Sequence, residues 1–241
     1  MLLIHGAFSS GNDFTAWHRT FTEAGYDVIA PTLPGHGPSN PAALRTLTLA
    51  DYLAALLAVR QQLAEPPVLV GHSMGGLLAQ QLAAITETRA LVCVASAPPG
   101  MLTAQARALP HLFPLMPAIL AGRPIRPSAA AFRALALHDL EAGEQQAILD
   151  SLGFESGRAY RTMILGRCRV RRNAVRCPVL CLSGDRDRIV SARLSRGIAA
   201  RYAATHLVFP DRGHWLIAPS AAAEVTSAIL RWLRSAHDSG R

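Results

Sequence analysis

The pentapeptide Gly71-His72-Ser73-Met74-Gly75 decides the fold of this chain. Residues 67–70 before it form an apolar run of strand character, and residues 76–84 after it have helical composition and spacing. Strand, tight turn and helix form the context in which G-x-S-x-G is a nucleophile elbow, with a strained serine backbone and flanking glycines that allow close packing. We therefore expect the Ser73 hydroxyl at the C-terminal edge of a sheet, with the Met74 N–H directed toward a developing oxyanion.

An ordinary serine in a glycine-rich turn is the alternative interpretation of these five residues. A chain rich in Gly, Ala and Ser contains such a motif by chance often enough to make the motif alone weak evidence. The choice depends on whether the rest of the chain supplies a base, an acid and a second oxyanion donor in compatible places.

Length and composition predict one large globular domain, or one domain that carries an insertion. The chain has 241 residues, of which 50% are hydrophobic. Its apolar runs are too short to cross a bilayer. The N-terminal apolar run is too short for a signal peptide and has no basic region before it, so we expect a cytoplasmic protein.

The cysteines and charges do not predict a cofactor or nucleic-acid site. The chain has no C-x-x-C pair, so its cysteines are expected to be small hydrophobic residues rather than disulfide or zinc ligands. The net charge of +8 comes from arginine alone, and no aromatic residues interleave with the one arginine cluster. That cluster is interpreted as a solvated surface or as a patch that guides anions to a pocket; it comprises Arg167, Arg169, Arg171, Arg172 and Arg176.

Alternating strand and helix patterns predict a doubly wound, mostly parallel sheet. Before the insertion, strands are expected at residues 2–4, 27–30, 67–70 and 90–95, and helices at 12–24, 47–63 and 76–84. After it, strands are expected at 177–183 and 205–209, helices at 191–202 and 221–233, and a polar tail at 237–241. The predicted core domain therefore comprises residues 1–100 and 174–241.

Residues 101–173 interrupt the alternation and are predicted to form a helical cap, or lid, over a hydrophobic pocket. Five prolines break the first half into loops and short turns, and helices are expected at 128–137, 141–152 and 156–165. The segment is rich in Met and Phe, as a lid over an apolar pocket is; the alternative is a small core that packs on itself. Expected substrate-binding residues are Phe8, Met101, Phe113, Met116 and Trp215.

Loops at the C-terminal ends of parallel strands are where catalytic groups can converge. His214 follows the last predicted strand and is the candidate base, whereas His36, between two glycines, is expected to bond nearby backbone. The loop after residue 183 offers two acids; Asp187 is favoured because it has room to turn inward, and Asp185 remains the alternative. The oxyanion donors are expected to be the backbone N–H groups of Ala7, after the first strand, and Met74.

Five motifs in this order resemble the α/β-hydrolase superfamily over nearly the whole chain. They are His5-Gly6-Ala7-Phe8, Leu33-Pro34-Gly35-His36-Gly37, Gly71-His72-Ser73-Met74-Gly75-Gly76, Gly184-Asp185-Arg186-Asp187 and Gly213-His214-Trp215. The resemblance implies Ser73 as nucleophile, His214 as general base and then acid, and Asp187 as the residue that orients it. Members usually carry further strands before the His-Gly strand, and only four residues precede His5 here.

The elbow looks most like those of bacterial esterases and lipases. The resemblance implies hydrolysis of a small or medium, mostly apolar carboxylic ester through an acyl-enzyme. Alternatives are lactone or thioester hydrolysis, acyl transfer or C–C cleavage by the same triad, and non-catalytic ligand binding. A small-molecule substrate is expected, with no metal or organic cofactor, no nucleic acid and no membrane span, and the sequence predicts no oligomeric state.

Overall fold

Five parallel strands form the central sheet, in a computed structural model that describes residues 1–37, 41–102 and 105–238. Each strand pairs with the next in chain order, which confirms the predicted parallel architecture. The strands are β1 (Leu2–Ile4), β2 (Val68–His72), β3 (Ala90–Val94), β4 (Val179–Gly184) and β5 (Thr205–Phe209).

Helices cover both faces of the sheet. The helices of the core are α1 (Thr15–Glu23), α2 (Leu49–Gln61), α3 (Met74–Ala83), α9 (Ala192–Tyr202) and α10 (Pro219–Asp238). Between β3 and β4 lie α4 (Leu109–Leu112), α5 (Met116–Leu120), α6 (Ala129–Leu135), α7 (Ala142–Ser151) and α8 (Gly157–Ile164). Short 3-10 turns occupy Gly11–Phe14, Ala43–Arg45, Ala106–Ala108, Phe113–Leu115 and Arg172–Ala174. Within the described ranges, no helix is long and apolar enough to cross a membrane.

The alternation of side chains along each strand divides the core in two. Leu3, Val70 and Val92 pack on one face with side chains of α1 and α10. Leu69 and Leu91 pack on the other face with side chains of α2, α3 and α9. Because successive strand residues point to opposite faces, a strand buried on both faces is apolar along its length, as β3 and residues 68–71 of β2 are here; His72, the last residue of β2, is a buried polar residue.

Two local predictions are wrong. Residues 27–30 do not form a strand: only Ile29 bridges to Leu2, through backbone hydrogen bonds with Met1 and Leu3 at the edge of the sheet. Pro31 follows and has no N–H with which to extend that ladder. The first half of the insertion contains the predicted short turns, but short helices in place of the predicted loops, because Pro110, Pro114 and Pro117 lie in first turns, where proline is tolerated.

Two further predictions extend beyond the described residues. The predicted turn at 31–39 includes residues 38 and 39, which lie outside them. The final helix reaches Asp238, so the first part of the predicted polar tail is helical, and residues 239–241 lie outside the described ranges. All four cysteines are free thiols, and Cys93 of β3 faces Cys181 of β4 in the sheet register.

Candidate active site

Ser73 occupies the turn between β2 and α3 with a backbone conformation that is rare for a residue with a side chain. Its φ is 55° and its ψ is −119°, an arrangement that costs on the order of 1–3 kcal/mol and persists only where the surroundings enforce it. Two backbone hydrogen bonds do so: Ser73 N–H donates to the Val94 carbonyl, and Ala97 N–H donates to the Ser73 carbonyl, each at 3.0 Å. The predicted strand–turn–helix context is present.

Glycines beside Ser73 are required by close backbone approach. A Cβ atom at Gly71 would overlap the carbonyl oxygen of Gly75, and one at Gly75 would overlap the carbonyl oxygen of Ile4. Strand β2, helix α3 and strand β1 therefore meet at distances that exclude any side chain at these two positions. This packing holds the elbow at the C-terminal edge of the sheet.

His214 lies between Ser73 and Asp187. Its Nε2 is 3.1 Å from Ser73 Oγ, and its Nδ1 is 2.8 Å from Asp187 Oδ2. Because the Asp187 carboxylate only accepts, the network assigns the proton to Nδ1 and leaves Nε2 to accept from the Ser73 hydroxyl. His214 and Asp187 are 2% and 5% exposed, so water does not compete for these bonds.

The other oxygen of Asp187 is also bonded. Asp187 Oδ1 accepts from the N–H groups of Ile189 at 2.7 Å and Val190 at 2.8 Å, which fixes the carboxylate plane. Asp185, the alternative acid, is exposed, and the structure does not bring it to His214. The geometry therefore favours Asp187.

The turn after β1 lies directly beside the nucleophile. A Cβ atom at Gly6 would stand 3.0 Å from the Cβ atom of Ser73, so the Gly6–Ala7 backbone passes against the elbow. Ala7 and Met74 both line the cavity that contains Ser73. Met74 is the first residue of α3, where a backbone N–H has no partner inside its helix. The two residues remain our candidates for the oxyanion hole.

Two residues that sequence reasoning missed, the buried His72 and the half-buried Asp139, hold the loop of His214. His72 Nε2–H donates to the His214 carbonyl at 3.0 Å, and Asp139 Oδ2 accepts from the Gly213 N–H at 2.7 Å. Burial, with the nearby charge of His214, lowers the pKa of His72 to about 3, so its ring is neutral. His72 stands inside the elbow motif and was predictable as a neighbour of Ser73; Asp139 has no local sequence signal.

The cavity above Ser73 has a volume of about 430 Å³, within the range of small-molecule sites. Four predicted binding residues line it: Phe8, Met101, Met116 and Trp215. Phe113 does not, and the prediction for it is wrong: its side chain is 78% exposed, because the short turn that contains it points Leu112, Leu115 and Met116 inward instead. The lining also includes Phe132, Tyr160 and Met163 from the later helices of the insertion.

None of the described residues that line this cavity is an arginine, an aspartate or a glutamate. The cluster from Arg167 to Arg176 does not reach it. Arg171 and Arg176 instead line a separate groove with Glu65, Glu87 and Arg89. The solvated-surface interpretation of the cluster is therefore favoured over an anion-guiding patch at the pocket.

Comparison with known proteins gives the family of the chain. The sequence model described as "Alpha/beta hydrolase family" matches residues 1–228. The chain belongs to this family. It is 30% identical over 264 residues to the magnesium-chelatase 30 kDa subunit of Rhodobacter capsulatus, which covers 97% of this chain and 86% of that protein. A pyrethroid hydrolase of Sphingobium wenxiniae is 32% identical over a shorter stretch, 32% of this chain and 27% of that protein.

Solved structures share the α/β-hydrolase fold. A methylesterase from Arabidopsis superposes with a TM-score of 0.75 at 14% identity, covering 97% of this chain and 98% of its own. A monoacylglycerol lipase of Paleococcus ferrophilus gives a TM-score of 0.75 at 21% identity, covering 98% and 93%. At these identities the likeness concerns the fold.

Proposed function

We propose that this α/β-hydrolase family member is a serine hydrolase that cleaves carboxylic esters. The observation that carries the proposal is the continuous chain of hydrogen-bond distances from Ser73 Oγ through the His214 ring to Asp187, buried beside an apolar cavity. A binding protein of the same fold has no need of a base held in one tautomer against a strained serine.

The proposed reaction proceeds in two halves. His214 Nε2 takes the Ser73 proton as Oγ attacks the ester carbonyl, and the oxyanion accepts hydrogen bonds from the Ala7 and Met74 N–H groups. His214 then gives that proton to the departing alkoxide, which leaves as the alcohol. A water molecule, deprotonated by His214, attacks the acyl-enzyme, and the same proton returns to Ser73 as the acid leaves.

The substrate we propose is uncharged and mostly apolar. The described walls of the cavity carry mainly Met, Leu, Phe and Trp side chains. Apart from Ser73 and His214, their polar side chains are those of His72, His111 and Tyr160, and none is an acid or an arginine, so a charged substrate would lose its hydration without meeting an arginine or a carboxylate. Residues 101–173 supply much of this wall, which supports their role as a cap. The same triad also serves lactones, thioesters and acyl transfer, and an apolar wall does not separate those outcomes.

A p-nitrophenyl ester series tests the proposal. We expect the wild type to hydrolyse butyrate to octanoate esters and Ser73→Ala to lose roughly 10³-fold or more in kcat. Ser235→Ala, near the end of α10, is the matched control and should keep full activity. Wild-type protein that is folded and inactive on esters contradicts the proposal.

Because the insertion forms part of the cavity wall, substitutions in it should change the preference for the length of the ester's acyl chain. Met116→Trp should shrink the cavity and reduce kcat/KM for octanoate by roughly tenfold, the scale of a few lost methylene contacts, while acetate hydrolysis is unchanged. Phe113→Trp, at an exposed position three residues earlier, is the control and should alter neither ester. Equal effects of the two substitutions would contradict the assigned wall.

The 30% identity to a protein named as a magnesium-chelatase subunit supports a second candidate function, membership of a chelatase assembly. The two candidates give different results with Ser73→Ala. A subunit role that depends only on binding survives this substitution, whereas ester hydrolysis does not. Chelatase activity reconstituted with the wild type and with Ser73→Ala therefore discriminates them.

A further inference from the structure

Glu155, in the insertion just before α8, is a fully buried carboxylate bonded to the core domain. Its oxygens accept from the Tyr52 hydroxyl at 2.8 Å, from His36 Nε2 at 2.9 Å and from the Ser156 N–H at 2.6 Å. A buried carboxylate is strongly unfavourable unless it is paired and its remaining lone pairs are bonded. Here both oxygens have partners, and two of these partners come from the other side of the boundary with the insertion.

His36 is the charged partner of Glu155. Its Nε2 faces the carboxylate, and its Nδ1 lies 3.2 Å from the Pro34 carbonyl, so both ring nitrogens face acceptors and both carry protons. Burial alone lowers the pKa of His36, but the hydrogen bond and charge of Glu155, with the Pro34 and Leu33 carbonyls, outweigh it and raise the pKa. The sequence predicted the backbone bond of His36 and missed Glu155.

The ring of His36 packs against His5, the residue that precedes the turn at Gly6–Phe8 beside Ser73. It contacts the His5 ring edge-to-face, with centroids 5.0 Å apart. His5 Nε2 accepts from the Leu33 N–H at 2.9 Å, so Nδ1 carries the proton and donates to the Gly6 carbonyl at 2.8 Å. Burial, with the charge of His36, lowers the pKa of His5 to about 3, which keeps this arrangement neutral.

The insertion holds the same turn from its other side. Gly153 N–H donates to the Phe8 carbonyl at 2.8 Å, and Ser156 Oγ donates to the Leu47 carbonyl at 2.5 Å. Glu155 lies between these two anchors. The Gly6–Phe8 backbone is thus bonded at its first residue through His5 and at its last through the segment that contains Glu155.

We propose that Glu155 is a positioning residue: by pairing with His36 and Tyr52 it fixes residues 153–156 on the core and so fixes the turn that presents the Ala7 N–H to the oxyanion. The inference rests on the proposed ester hydrolysis. It follows that residues 153–156 of the insertion and the turn at Gly6–Phe8 move together. Displacing the insertion at this point moves a transition-state donor while leaving Ser73 and His214 in place.

Substitution of the network should therefore reduce kcat more than it changes KM. The oxyanion donor acts mainly in the transition state, and loss or misplacement of such a donor costs roughly 10²–10³-fold at most. We expect Glu155→Gln, which keeps the size and removes the charge, to lower kcat about 10- to 100-fold with KM within about twofold. Tyr52→Phe removes one hydrogen bond to Glu155 and should lower kcat about 2- to 10-fold.

Tyr202→Phe is the matched control for Tyr52→Phe. Tyr202 OH donates to Gln80 Oε1 at 3.1 Å, so its removal also leaves a buried polar group with one partner fewer. We expect a comparable loss of thermal stability from the two Tyr→Phe substitutions and no change of kcat from Tyr202→Phe. This comparison separates positioning from a general loss of stability, and Tyr52→Phe carries the test if Glu155→Gln does not fold.

Steady-state kinetics on a p-nitrophenyl ester, with hydrogen exchange of the peptide that contains residues 6–8, completes the test. The expected result is a kcat loss in Glu155→Gln and Tyr52→Phe, with faster exchange in that peptide. An active wild type with unchanged kcat in the folded network variants overturns this inference and leaves the proposed function intact. A wild type inactive on esters overturns the proposed function and the positioning role together.

Discussion

His72 donates from its Nε2–H to the main-chain carbonyl of His214 at 3.0 Å. His72 ends β2 immediately before the nucleophile and His214 is the proposed base, so this bond connects the end of β2 to the loop that must be aligned with it for proton transfer. His72 Nδ1 has no hydrogen-bond partner within the described residues. The ring therefore acts through the single hydrogen bond of Nε2 and through its packing against the rings of His214 and Trp215, with centroids 5.0 and 5.3 Å away.

Removing that donor should slow hydrolysis. His72→Phe keeps an aromatic ring and loses the bond, and we expect kcat to fall about fivefold, the equivalent of one hydrogen bond of roughly 1 kcal/mol. His72→Gln retains an N–H donor and should recover part of the rate. Equal rates for the wild type and His72→Phe at the same folded fraction would exclude an alignment role.

Asp187→Asn should be far more damaging than Asp185→Asn. An asparagine can donate to His214 Nδ1 and so favours the wrong tautomer, which in serine proteases costs about 10⁴-fold in kcat. Asp185 is exposed and away from His214, so Asp185→Asn should remain within about twofold of the wild type. The reverse ranking, measured as kcat on one ester, would assign the orienting acid to Asp185.

Glycine at position 75 should contribute to the stability of the protein. The Cβ of Gly75→Ala would overlap the Ile4 carbonyl oxygen, and we expect a loss of about 1–3 kcal/mol, the usual cost of overpacking. Gly197→Ala in α9 is the control: no atom lies within 4 Å of its added Cβ, so it should stabilise by about 0.4–1 kcal/mol. Urea unfolding measures both, and equal effects would contradict the described packing.

Stability should depend on pH through His5 and His72. Each has a pKa of about 3 in the folded protein, against an ordinary value of 6.5, because both are buried neutral. As the pH falls, these two histidines therefore bind protons in the unfolded chain before they do so in the folded protein. The stability that comes from burying them neutral is complete above pH 6.5 and is lost as the pH falls toward 3. The free energy of unfolding should fall by up to about 1.4 kcal/mol per pH unit for each histidine.

His72→Gln should reduce that acid slope, as measured by urea unfolding at several pH values between 7 and 4.5. An unchanged slope would show that His72 does not contribute to the loss of stability in acid.

His36 should give the opposite pH dependence of stability. Its pKa is raised in the folded protein, so the stability it contributes is complete below pH 6.5 and is lost as the pH rises through its folded pKa. Glu155→Gln should remove that alkaline component.

The elbow and the order of the proposed triad were predictable because their signals are local. Ser73 and Asp187 follow strands that are buried along their whole length, whereas His214 follows the partly exposed strand β5. Parallel strands bring the loops that follow them to one edge of the sheet. The choice between Asp185 and Asp187 required the structure. It depends on which carboxylate the turn buries, and residue type alone does not specify that.

The insertion was less predictable because its contacts are distant in sequence. Glu155 and His36 are 119 positions apart, and neither has a neighbouring motif that points to the other. Phe113 lies among prolines that break helical periodicity, so no regular pattern indicated which of its neighbours face the cavity. Long-range polar pairs and the inward face of irregular segments are fixed by packing of the whole domain.

Labelling with a fluorophosphonate probe, followed by peptide mass mapping, tests whether Ser73 is an activated nucleophile. We predict one adduct, on the peptide that contains Ser73, absent from Ser73→Ala and weaker in His214→Ala because the base that accepts the hydroxyl proton is gone. Circular dichroism on each sample confirms that the chain is folded. Folded wild-type protein without an adduct, or an adduct that persists in Ser73→Ala, would contradict the account.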